Sequence, residues 1–200
     1  GDHPDLHSFP TRRSSDLMDP APEYRRTSLQ DAASMAVHES QSRLWENMVG
    51  RSLGFWKRQL PTFKEILAPV LDGVSLEGFY RAVNKVSPSF IRTEADEVTY
   101  SLHVIARFEL EAALIGGGLA VADLPAAWND TMASLLGIRP KNDAEGCLQD
   151  IHWSMGLIGY FPSYALGNLY GAQFWDAMKA QGLDPEAATE AGDLDRKSVV

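Results

Sequence analysis

The sequence predicts an all-α fold on three observations. Apolar residues recur at three- and four-residue steps through most of the chain, strand-like alternation is almost absent, and the periodic stretches are bracketed by capping residues, proline or glycine. Ser28-Leu-Gln-Asp31 resembles a capping box: the hydroxyl accepts from a first-turn N–H while an acid faces the positive end of the helix dipole. A long amphipathic helix is expected to follow through Ala33, Val37, Leu44, Met48 and Phe55 and to end before Pro61. Thr62 to Glu65 repeats the capping pattern and predicts a short helix closing near Gly73, and Ser75 to Val86 reads as another. Ser87 to Asp96, with Pro88, is expected to be extended or turned. Glu97 to Ile115 is again helical in its repeat, and Gly116-Gly117-Gly118 ends it because glycine adopts the left-handed conformation cheaply. Leu124 to Leu136 has Pro125 in its first turn and Gly137 beyond its end. Gly146 to Tyr164, rich in glycine and aromatics, reads as irregular structure or short helix. The last predicted helix is Ser163 to Ala180, stopped by Gly182.

With 44% hydrophobic residues and five tryptophans, the 200 residues suffice for one domain with a substantial core. The formal charge of −9, with 18 scattered Lys and Arg, argues against nucleic acid, because counterion release needs clustered cations. Cys147 is the only cysteine, so no intramolecular disulfide is available and a reducing, cytoplasmic location is expected. No apolar run approaches the roughly 20 residues of a membrane span, and no signal-peptide core is present, so no membrane partner is expected. The ends lack periodicity. Ser8 to Leu17 and Asp195 to Val200 resemble in-frame translations of the two ends of short-read sequencing adapters, so residues 1–17 and 195–200 are expected to be artefact and residues 18–194 a partial helical domain. His3 and His7 are set aside for the same reason.

Three polar interruptions could carry chemistry. His38-Glu39-Ser40-Gln41 is half of a metal motif: two histidines four apart on a helix chelate zinc, yet the fourth place after His38 holds Ser42. Glu39 is placed to be a carboxylate ligand contributed by a separate helix, or simply a solvated side chain. Arg92, in "IRTEAD", suits a carboxylate anchor because its planar fork makes two charge-assisted bonds. The competing reading is a structural ion pair with Asp96 or Glu97. In "GCLQDIHW", His152 beside Asp150 and Trp153 is either a ligand-contacting imidazole or a hydrogen-bonded core histidine. Tyr160 and Tyr164 could donate to a developing oxyanion or serve as ordinary core residues. His103 reads as structural. Other classes fail specific tests: Ser154 lacks the glycine of a nucleophile elbow, no Glu-x-x-His pair exists for a di-iron bundle, and Gly116 to Gly118 are not followed by Lys-Ser/Thr as in a phosphate loop.

Taken together, "HESQ" at His38 to Gln41, "IRTEAD" at Ile91 to Asp96 and "GCLQDIHW" at Gly146 to Trp153 resemble the carboxypeptidase Taq family of thermostable zinc metallocarboxypeptidases. The flanks "SRLWEN", "EVTYSLHV" and "GYFPSYALGN" extend the likeness over most of residues 28–175. The resemblance implies a helical zincin-like fold and removal of C-terminal amino acids by metal-activated water. It implies peptide substrates with a free C-terminus, Zn2+ (with Co2+ as another divalent choice), and a homodimeric full-length enzyme. It implies Glu39 as third metal ligand, with two histidines on a helix upstream, and Arg92 as captor of the substrate carboxylate. Gln149, Asp150, His152, Trp153 and Tyr164 then wall the groove, and Tyr160 assists at the scissile carbonyl. The family's H-P-F, D-x-R-x-T and H-E-x-x-H elements are absent from this sequence. A lone carboxylate does not hold zinc tightly, so these 200 residues are expected to be inactive alone, as a fragment or, alternatively, as a non-catalytic helical peptide-binding module.

Overall fold

In a computed structural model, which describes Thr27 and residues 34–193, every regular element is helical and no strand occurs among the described residues. The main helices are α1 (Met35–Arg43), α2 (Leu53–Ile66), α3 (Leu76–Val83), α4 (Glu97–Ile115), α5 (Leu124–Leu136), α6 (Pro162–Ala180) and α7 (Pro185–Ala191). The expectations for residues 1–17, 28–31 and 195–200 fall outside the described residues. The chain divides into two compact units, Gly1–Tyr80 with Leu166–Val200, and Arg81–Ala165.

In the first unit the long helix expected from residue 33 to Pro61 is not continuous. After α1 the backbone widens into a π-helical stretch, Leu44–Val49, and turns at Gly50 before α2 begins. The break is local chemistry: Ser52 accepts from the Phe55 N–H at 3.1 Å and donates to the Val49 carbonyl at 2.7 Å, so it closes one segment and caps the next. Pro61 lies inside α2 rather than beyond it, and the helix predicted to open at Thr62 is its last turn. Tertiary packing overrides the proline. Trp56, before Pro61, meets Phe63, after it, at 5.3 Å, and Phe79 of α3 at 4.5 Å. Leu44, Val49 and Trp175 form the buried core here. Beyond Gly182 an unpredicted helix, α7, starts at Pro185, where Asp184 caps the Glu186 and Ala187 N–H groups. It lies along α2, with Lys57 and Glu190 paired at 3.0 Å.

In the second unit α4 and α5 have the ends predicted for them. Asp96 caps α4 by accepting from the N–H groups of Val98 and Thr99, and Gly137 ends α5 at φ +71°. The two helices enclose Ala106, Leu110, Trp128, Met132, Leu136 and Cys147. Gly146 to Phe161 is irregular apart from a short 3-10 turn at Trp153–Met155.

Candidate functional site

Asp150 is the hub of the second unit's polar core. Its Oδ1 accepts from Arg92 Nη2 at 2.7 Å and Nε at 3.1 Å, and its Oδ2 accepts from Arg107 Nε at 2.5 Å. Arg92 is 5% exposed and Arg107 fully buried. The Arg92 ion pair is therefore with Asp150, not with Asp96 or Glu97: Asp96 is consumed as the α4 cap, and Glu97 points to solvent. Arg92 Nη1 also donates to the Tyr100 hydroxyl at 3.0 Å, and its guanidinium lies 4.8 Å from the Tyr164 ring centroid. Burial opposes every charge in this cluster. For Asp150 the Arg92 hydrogen bond and the two guanidinium charges outweigh burial and hold the carboxyl below its usual range. For Arg92 burial is the largest single effect, but the Asp150 hydrogen bond together with the electrostatic contributions of Tyr100, Asp150 and Tyr164 outweighs it and raises its pKa. Arg107 is the weaker partner, pushed down to about 10 by burial and by the Arg92 charge.

Gln149 ties the two motifs together. Its Oε1 accepts from the Arg92 N–H at 2.8 Å, and its Nε2 donates to the carbonyls of Phe90 and Glu145 at 2.9 Å. His152 Nε2 lies 3.1 Å from the Tyr164 hydroxyl, and its ring stands 5.3 Å from Tyr160 and 4.5 Å from Phe161. Burial and the nearby Arg92 charge lower the His152 pKa, which favours the neutral imidazole. Trp153 packs edge-on to Trp128 at 6.2 Å and donates from Nε1 to Glu111 at 2.7 Å. Arg92, Gln149, Asp150, His152, Trp153, Tyr160 and Tyr164 thus form one contiguous cluster.

Sequence reasoning missed Tyr100, Arg107 and Glu111, all buried on the inner face of α4. Glu111 accepts from both Trp153 and the Gly159 N–H. The available signal was spacing: Tyr100, His103, Arg107 and Glu111 put polar groups at three- and four-residue steps on one helix face. His103 is fully buried, without a hydrogen-bond partner among the described residues, and burial followed by the charges of Arg107 and Arg92 pushes it down to about 4.

Glu39 belongs to the first unit, half-buried on α1 against α6. Gly167 makes the approach possible, since a Cβ there would stand 2.8 Å from Glu39 Cγ and 2.9 Å from its Cβ. One turn on, a Cβ at Gly171 would lie 3.2 Å from the Ser40 carbonyl oxygen. Arg43 donates to Asn168 Oδ1 at 2.8 Å, which locks the same helix pair. Among the described residues no group of three or more His, Cys, Asp or Glu side chains is gathered as a metal ion requires. Glu39 can offer one carboxylate, and its described neighbours do not complete a cation site.

The helical architecture is that of the M32 carboxypeptidases. The chain superposes on the M32 carboxypeptidase from Deinococcus radiodurans R1 with a TM-score of 0.88 at 44% identity, covering 94% of this chain and 39% of that one. It matches a Pyrococcus furiosus carboxypeptidase structure with a TM-score of 0.88 at 40% identity, over 94% and 38% of the two chains. Residues 17–197 match the family described as carboxypeptidase Taq (M32) metallopeptidase, and the chain belongs to that family. It is 56% identical over 160 residues to thermostable carboxypeptidase 1 of Thermus thermophilus, covering 79% of this chain and 31% of that protein. To carboxypeptidase 1 of Bacillus subtilis it is 47% identical over 168 residues, or 84% of this chain and 34% of the relative. The chain therefore spans about a third of the length of these relatives.

Proposed function

We propose that this chain is one part of a divalent-metal-dependent carboxypeptidase that releases C-terminal amino acids from peptides with a free C-terminus. The observation that carries this reading is the family match across residues 17–197, which contain all three motifs. Zinc is the proposed ion, with cobalt as an alternative, and Glu39 supplies one carboxylate; the remaining ligands come from outside this chain. Arg92 contributes to substrate binding as a fixed positive charge rather than a mobile arm. Asp150 occupies one edge of its guanidinium, and the Arg92–Asp150–Arg107 cluster retains an excess positive charge that favours a carboxylate. Gln149, Asp150, His152, Trp153 and Tyr164 form the wall around that charge, with Tyr160 nearest the scissile carbonyl. The whole enzyme acts as a homodimer in the cytoplasm. Among the described residues no helix is long and apolar enough to cross a membrane.

The test is a chimera in which residues 18–193 replace the matched stretch of the Thermus thermophilus relative. It is expected to release the terminal residue of a free-acid peptide, to spare the C-terminal amide, and to lose activity on chelation and regain it with Zn2+. Glu39→Gln in the chimera should lower zinc affinity measured by calorimetry by roughly tenfold or more. A folded chimera that cleaves the amide equally, or whose zinc affinity ignores Glu39, overturns the reading.

A further inference from the structure

Helix α4 carries a second face whose apolar side chains are largely exposed among the described residues. Its inner face is buried through Tyr100, His103, Val104, Arg107, Leu110 and Glu111. On the other side Val98, Ser101, Ile105, Phe108, Ala112 and Ile115 follow one another at steps of three and four residues. Val98 is 64% exposed, Phe108 52% and Ile115 68%. A helix is expected to keep one face polar when water is its only neighbour. This one instead shows an apolar stripe about 26 Å long at 1.5 Å per residue.

We propose that this stripe seats another helix, supplied by the part of the M32 domain that this chain does not span, with an apolar ridge flanked by Lys or Arg. Three observations select that occupant. The alternating three- and four-residue step is the seam of helix-on-helix packing, and the small Ser101 and Ala112 let a second backbone approach closely. The exposed charges beside the stripe are acidic, Glu97 and Glu109, whereas the basic side chains of α4, His103 and Arg107, are buried on the inner face. A second copy of this chain would present the same acids to that seam, and its net charge of −9 adds repulsion. Finally, the solved relatives extend well beyond the matched region, since this chain covers 38% and 39% of two of them.

Co-expression of the 200-residue chain with the portion of the Thermus thermophilus relative outside the matched 160 residues tests the assignment, with association read by native mass spectrometry. A 1:1 complex is expected, at least tenfold weaker with Ile105→Asp or Phe108→Asp and unchanged with Val121→Asp, an exposed apolar position off the stripe. Because the stripe residues are exposed, the helical far-ultraviolet signal should survive these changes. Glu109→Lys should weaken the complex at low salt, with the loss shrinking at 1 M salt as charges are screened. Failure to form the complex, or a complex indifferent to both aspartates, overturns the proposal. So does a homodimer of the chain that Phe108→Asp dissolves, which would assign the stripe to a second copy.

Discussion

Asp150 is shared by two buried arginines that come from different segments, Arg92 in a short turn and Arg107 on α4. Removing its charge strands both. Asp150→Asn is predicted to cost about 3–5 kcal/mol of stability, read from urea unfolding at pH 7. The sign of its pH dependence follows from its depressed pKa: the contribution is complete above the ordinary carboxylate range near pH ~4 and is lost as pH falls below it toward the folded value. His103 acts in the next window. Its unfolded imidazole titrates near 6.5 and its folded one near about 4, so the unfolded state binds the extra proton and stability falls as pH drops from about 6.5 to about 4. His103→Leu should flatten the unfolding midpoint across that window, leaving a residual slope from His152, whose pKa is shifted the same way. At pH 7 the leucine should be tolerated, because the imidazole nitrogens make no hydrogen bonds among the described residues that would be lost. The residue types at this cluster were legible in the sequence, since Arg92, Gln149, Asp150, His152 and Trp153 all interrupt apolar surroundings. Their pairing was not: Arg92 and Asp150 are joined across 58 positions, and the nearer acids, Asp96 and Glu97, were the obvious but incorrect partners.

At the scale of elements, local chemistry sets the helix ends and packing decides what lies between them. Asp96 closes α4 by accepting from Val98 and Thr99, and it also receives the Ser87 N–H at 2.9 Å, tying the preceding loop to the helix. Asp96→Ala is predicted to destabilise the protein by roughly 1–2 kcal/mol in thermal or urea unfolding. The α1–α6 contact depends on glycine in a different way. Gly167→Ala would push a methyl group into the Glu39 stem and should cost about 1–3 kcal/mol. Glu39→Ala removes the obstructing Cγ but keeps the Cβ at 2.9 Å, so the double mutant should lose somewhat less than the sum of the singles; strict additivity in the cycle would show that the Gly167 approach does not constrain the Glu39 side chain beyond Cβ. Both ends of α5 and the C-terminal end of α4 were readable because Pro125, Gly137 and the Gly116–Gly118 run act within a turn of where they stand, whereas Asp96 was read only as a possible partner of Arg92 and not as the α4 cap. The break at Gly50 and the continuation of α2 through Pro61 were not, because they depend on Ser52 bridging two segments and on Trp56 and Phe63 packing across the proline.

For the whole molecule, membership of the M32 family and the absence of a complete cation cluster among the described residues lead to one expectation: the isolated chain should bind zinc more weakly than about 1 μM in calorimetry, since a single fixed carboxylate lacks the cooperation of further ligands. A submicromolar dissociation constant would mean that this chain completes the site by itself. The sequence by itself determined the all-helical class, the boundaries of the central helices and the three motifs that mark the family, because periodicity, helix-breaking glycine and proline, and short motifs are written within a few adjacent residues. Only the tertiary structure decided that Asp150 is shared by Arg92 and Arg107, that Glu39 rests on Gly167, and that α4 buries the face carrying its polar groups and exposes an apolar one. Those outcomes depend on which distant segments meet and on the desolvation their meeting imposes, and spacing along one chain does not encode either in a readable form.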